Sequence, residues 1–92
     1  MPIGIFPKER DFEGEQIQLQ KGDMLYLFSD GYSDQFGGPT FRKFMMKNFK
    51  QLLVNISNLP LEQQHEILNT TMDEWKGDNH QNDDILVIGV RF

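Results

Sequence analysis

Five consecutive apolar residues, Met24-Leu25-Tyr26-Leu27-Phe28, leave a β-strand without a polar face. A half-exposed strand alternates apolar and polar side chains, so a run that is apolar on both faces fits a central strand covered on each side. A similar run closes the chain, where Ile85 and Val87 alternate against Leu86, Ile88 and Val90. It reads as a second interior strand, and Gly89 within it marks a close approach or a bulge. Both runs carry aspartate at one tip. Asp30 follows Phe28-Ser29, and Asp83-Asp84 precede Ile85.

Between and before these strands the periods differ. Residues 1–13 show no clean period and read as irregular chain or an edge segment. From Glu15, Ile17 and Leu19 alternate with Gln16, Gln18 and Gln20, and "QKGD" supplies a turn, so a hairpin with Met24–Phe28 is expected. Beyond Pro39, the residues Phe41, Phe44, Met45, Phe49, Leu52, Leu53 and Ile56 follow helical spacing on one face. After a break at Asn58-Leu59-Pro60, with Pro60 suited to a first helical turn, Leu61, His65, Leu68, Met72 and Trp75 line a second helix that Gly77 stops. The order strand, strand, helix, helix, strand is that of an α+β layered fold.

The tips decide what chemistry is available. If the two apolar strands pair antiparallel, their aspartates meet at one rim. Carboxylates brought together repel unless protonated or bridged by a cation, and a hard divalent ion is the usual bridge. Gly31 after Asp30 removes a side chain where backbone or solvent must approach. The plain alternative is that Asp30-Gly31 is a turn, since Asp-Gly is a common turn dipeptide. "DGYSDQFGG" does not fit a calcium-binding EF-hand loop, because its glycine comes second and no glutamate closes it. His65 reads as a packed or half-exposed helix residue; His80, with Asp78 and Asn79, reads as solvated loop that could line the site.

Composition narrows the function. The chain has 92 residues, a size that supports one small domain. Without cysteine it has neither disulfides nor thiolate metal sites, and a reducing cytoplasmic setting is the simpler expectation. No run reaches the length of a membrane span, and the first residues lack a signal-peptide layout. A net charge of −5 argues against nucleic-acid binding. Arg42, Lys43, Lys47 and Lys50 form a local exception, read as a solvated helix face or as a docking patch for an acidic partner.

Two segments carry a resemblance. "GDMLYLFSDGYSDQFGG" resembles the "GD-x-L-x-L-[FY]-[ST]-D-G-x-x-[DE]" segment of the SpoIIE-type serine phosphatases, bacterial members of the metal-dependent protein phosphatase 2C superfamily. "NDDILVIGVRF" resembles their closing "DD-I-T-x-[LV]-x-[LV]-[RK]" strand, with Leu86 in place of the usual Thr, and "MPIGI" resembles the "x-P-L-G" segment between the family's two halves. The resemblance implies a four-layer α-β-β-α sandwich, of which residues 1–92 are a single partial domain, the C-terminal half. Its strands are expected to be antiparallel, with two consecutive helices before the last one.

The same resemblance implies a binuclear Mg²⁺ or Mn²⁺ centre that serves hydrolysis of phosphoserine or phosphothreonine. Asp30 and Asp83 match metal ligands of the family. Gly31, Asp34 and Asp84 match neighbouring positions that act behind the ligands or at a weak extra metal, and no further catalytic residue is implied. The family's N-terminal half supplies the acid that bridges the metals, and no Asp-x-x-Gly-type segment precedes Met1 in this sequence. The chain alone is therefore expected to bind metal weakly or not at all and to be inactive. The implied partners are a phosphoprotein of the anti-sigma-factor-antagonist type and an upstream sensory module. The alternative is a non-catalytic interaction module that retains the scaffold. Half a sandwich also leaves apolar faces open, which favours self-association.

Overall fold

The computed structural model describes residues 3–7, 20–81 and 83–92. The elements run β1 (Ile3–Pro7), β2 (Met24–Phe28), α1 (Gly31–Asp34), β3 (Phe36–Gly37), β4 (Arg42–Lys43), α2 (Met46–Ile56), α3 (Leu61–Lys76) and β5 (Val87–Arg91). The mixed α+β fold expected from the sequence is present, with α2 and α3 in succession before the last strand. Among the described residues no helix is long and apolar enough to cross a membrane.

The main sheet has the order β1-β2-β5. β2 and β5 pair antiparallel from Met24↔Arg91 to Phe28↔Val87, the pairing that brings their acidic tips together. β1 lies parallel to β2, from Ile3↔Met24 to Pro7↔Phe28, which departs from the all-antiparallel expectation. The alternating stretch at Ile17 and Leu19 lies outside the described residues. Both edges of β2 are occupied, one by β1 and the other by β5. The uninterrupted register through Gly89 rules out a bulge there. Gly89 is instead a close approach, since a Cβ on it would lie 2.9 Å from Met24 Cε.

One face of β2, formed by Met24, Tyr26 and Phe28, is buried against α2 and α3. The opposite face holds Leu25 and Leu27, paired with Val90 and Ile88. Here the expectation of a doubly covered closing strand is corrected. β5 ends the sheet order, and Ile88 and Val90 are 44% and 38% exposed, because none of the described residues covers that face.

The helices also begin later than their apolar stripe. Phe41 and Met45 take positive φ, +50° and +82°, which a bulky side chain adopts at a cost of about 1–3 kcal/mol. The backbone is held so because the Phe44 N–H donates to the Gln35 carbonyl (2.9 Å) and the Met45 N–H to the Ser33 carbonyl (2.8 Å). Those bonds commit residues 41–45 to a small β3–β4 hairpin and its exit, so α2 starts at Met46. Within α2, Phe49, Leu53 and Ile56 are buried. Phe49 packs edge-on to Phe28 with ring centroids 5.0 Å apart, and stacks on Tyr32 at 4.8 Å.

The buried face of α3 is rotated from the expected stripe. Leu61 and His65 are exposed, and Gln64 is buried with Met72. A buried amide is tolerated only when its hydrogen bonds are made. Gln64 Oε1 accepts from the Tyr26 hydroxyl at 2.5 Å, and its Nε2 donates to the carbonyls of Ser57 (3.3 Å) and Leu59 (2.8 Å). Arg91 of β5 donates to the same two carbonyls at 2.8 and 2.6 Å. The cation thereby satisfies the C-terminal end of α2, where positive charge is favourable.

Both tyrosines of the chain are buried in this core. Burial pushes the Tyr26 hydroxyl up to about 12 from its ordinary 10.0, against a smaller opposing pull from Arg91. Burial, and then the charge of Asp73, raise Tyr32 as well. A phenol whose folded pKa is raised stabilises the fold fully below the unfolded value and loses that contribution as pH climbs toward the folded one. Raising the pH from 10 to 12 is therefore expected to unfold the chain, with tyrosinate absorbance and loss of helical circular dichroism appearing together. Tyrosine ionisation at its ordinary pH with the helix signal intact would contradict this packing.

Candidate functional site

Where β2 ends, Ser29 joins the two acidic tips. Its N–H donates to the Leu86 carbonyl at 2.9 Å, extending the β2–β5 ladder by one residue. Its hydroxyl donates to the Asp84 carbonyl and accepts from the Leu86 N–H, both at 3.0 Å. One side chain thus grips the strand entry on either side of Ile85.

The next residue is Asp30, at the N-cap position of the single-turn helix α1. Its carbonyl accepts from the Asp34 N–H (2.9 Å) and the Ser33 hydroxyl (3.2 Å), which folds the turn tightly under it. Its carboxylate is exposed, caps no backbone N–H, and has no hydrogen bond or ion pair among the described residues. Gly31 is buried against the other tip. A Cβ there would lie 2.1 Å from the Asp84 carbonyl oxygen and 3.0 Å from Ile85 Cα. The side chain is absent because backbone needs the space, which makes this glycine more than a turn residue.

The loop that brings Asp83 to the rim is tied from below. Gln35, fully buried, donates from Nε2 to the His80 carbonyl at 2.9 Å and the Phe36 carbonyl at 3.0 Å. The Gln35 carbonyl in turn accepts from Trp75 Nε1 at 2.9 Å, so the end of α3, the β3 turn and the loop form one unit. Farther along, Gln81 Nε2 donates to the Asp83 carbonyl (3.0 Å), and Asp83 Oδ1 accepts from the Asp84 N–H (2.8 Å).

The residues named from sequence thus separate into groups. Gly31 lies against the Asp84 backbone, with Asp30 and Asp83 each the preceding residue of one of the two segments. Asp34 sits at the other end of α1, its carboxylate 3.7 Å from Lys43 Nζ in an exposed ion pair. His80 contributes its carbonyl to Gln35, and the Asn79 N–H donates to the Lys76 carbonyl (2.9 Å), closing the turn after α3. His65 stays exposed on α3, on the border of two small grooves beside β5.

Ser29 and Gln35 were not singled out by sequence reasoning. Ser29 had a usable signal, a lone hydroxyl between a covered strand and an acid. Gln35 had none, since only tertiary packing buries it.

The available donors are carboxylate and carbonyl oxygens, the ligand type that hard divalent cations such as Mg²⁺ and Mn²⁺ take. Among the described residues no three His, Cys, Asp or Glu side chains group closely enough to hold a metal ion. The donor type suits such an ion only as part of a coordination shell.

Comparison with known proteins supplies the context. The profile of the family described as Stage II sporulation protein E (SpoIIE) matches residues 1–92. Among solved structures, the SiaA-PP2C domain of Pseudomonas aeruginosa is similar at 35% sequence identity with a TM-score of 0.72. The match covers 75% of this chain and 28% of that one, so the chain spans under a third of that structure's length. No curated protein matches.

Proposed function

Because the chain belongs to the SpoIIE family, we propose that it is the C-terminal part of a metal-dependent protein serine/threonine phosphatase domain. In this reading Asp30 and Asp83 are carboxylate ligands at one rim of the sheet. Asp84 and Gly31 hold the two ligand-bearing segments together, and Asp34 lies one turn away. The observation that carries the reading is the contact of Gly31 with the Asp84 carbonyl, since it joins acids 53 residues apart in the chain at one strand end.

When bound, a pair of Mg²⁺ or Mn²⁺ ions would supply the positive charge that polarises a phosphoryl group and acidifies water. The chain's own residues do the positioning. Ser29 fixes the spacing of the strand ends, the α1 turn holds Asp30 outward, and Gln35 anchors the loop ahead of Asp83. The uncovered face of Leu25, Leu27, Ile88 and Val90 suits the second sheet of the sandwich, which would bring the missing ligands with it. The substrate in this proposal is a phosphoserine or phosphothreonine protein of the anti-sigma-factor-antagonist type, in the cytoplasm, under an upstream sensory module.

The test is hydrolysis of a phosphoserine peptide with Mn²⁺, by the chain alone and by the longer protein containing it. The chain alone is expected to be inactive and the longer protein active. Asp30→Asn and Asp83→Asn are each expected to lower that activity about 100-fold, the scale of removing one stabilising group from a developing charge. Unchanged rates in both variants would reject the ligand assignment. An inactive longer protein that still binds a regulator would favour the non-catalytic module.

A further inference from the structure

Charge in this chain is segregated. Residues 35–61 contain Arg42, Lys43, Lys47 and Lys50 and no acidic residue, while the remainder has five basic against fourteen acidic residues. The fold collects these four on the β4 strand and the first turns of α2, all exposed. Lys43 pairs with Asp34 at 3.7 Å, an exposed contact that leaves the cluster strongly positive.

Two features of this face work against local stability. The first turn of α2 has no acidic residue, its N-cap Met45 makes no side-chain cap bond, and Lys47 stands where a helix N-terminus disfavours positive charge. Phe41 and Met45 hold positive φ and are nevertheless 59% and 54% exposed, although burial is the usual fate of such side chains. Phe41 lies flat on Phe36 with ring centroids 5.1 Å apart, and the Phe44 and Met45 N–H groups are bonded to the carbonyls of Gln35 and Ser33. The exposed apolar pair is therefore held rigidly. Local rules broken together at one place mark functional surface.

We propose that this face, with Phe41 and Met45 at its centre and Arg42, Lys43, Lys47 and Lys50 around them, docks an acidic segment of a partner protein. The segment presents an apolar residue to Phe41 and Met45. Aromatic residues, Met and Arg at the centre of a patch and charge toward its rim are the composition of protein interfaces. The complementary sign selects an acidic partner and makes its capture depend on salt. A nucleic acid is the poorer fit, because the surrounding surface is net negative and repels an extended polyanion. The proposal does not depend on the metal site.

The probe is a labelled synthetic peptide of Asp and Glu with one central Leu, titrated against the chain in EDTA and followed by fluorescence anisotropy. Working without metal keeps the result separate from the phosphatase reading. Saturable binding that weakens with added salt is expected. K43E/K47E/K50E and Phe41→Ser are each expected to weaken it about tenfold or more, with Lys21→Glu unchanged. Glutamate at position 47 suits the start of α2, so helical circular dichroism should be retained and a loss of binding is not a loss of fold. Absence of binding, equal weakening by Lys21→Glu, or equal affinity for single-stranded DNA or anionic vesicles would overturn the proposal.

Discussion

Gly31→Ala is expected to lower the stability of the chain by about 3 kcal/mol, the upper range for forcing extra volume into a packed site. The added Cβ would fall 2.1 Å from the Asp84 carbonyl oxygen and 2.7 Å from its carbon. Both are backbone atoms, so no side-chain rotation relieves the clash. Either α1 or the entry to β5 must move, and both Ser29 hydroxyl bonds span that junction. Gly22→Ala is the control. It has positive φ but open space around it, and should cost only about 1 kcal/mol. Urea unfolding midpoints measure both, and an unshifted midpoint for Gly31→Ala would mean that the two segments do not touch.

Phe49→Ala should cost about 3–5 kcal/mol. The ring is fully buried, edge-on to Phe28 at 5.0 Å and stacked on Tyr32 at 4.8 Å. It is the one α2 side chain in ring contact both with β2 and with the turn that carries Asp30, so its removal loosens the sheet and the rim together. A domain of this length has roughly 5–14 kcal/mol in total, so the variant is expected to be largely unfolded at moderate temperature. Phe49→Leu, which refills most of the space, should recover more than half of the loss. A cost under about 1 kcal/mol would show that the aromatic cluster is not the core.

The legible parts of this protein were those written in period and punctuation. The apolar run of β2, the two successive helices, the stop at Gly77 and the meeting of acidic tips all follow from local pattern plus one antiparallel pairing. The placement of Asp30 and Asp83 beside the strand ends was legible for the same reason, since each sits at the tip of such a run. Illegible were the features that depend on what another segment does with a backbone group. Spacing alone extends the stripe of α2 back to Phe41, but hydrogen bonds from residues 44 and 45 to 35 and 33 end it at Met46. The buried face of α3 falls on Gln64 instead of Leu61 because the carbonyls after α2 and the Tyr26 hydroxyl require an amide there.

The same division explains the closing strand and the glycine of the Asp30 turn. Alternation showed that Ile88 and Val90 are built to be covered, a property of the side chains themselves. Only the sheet order showed that the described residues leave them open. Composition allowed Gly31 to be an ordinary turn residue, and local pattern could not distinguish that from a close approach. The distance to Asp84 decided it. Side-chain pattern is a property of neighbours along the chain, whereas the room for a Cβ is set by a carbonyl 53 positions away.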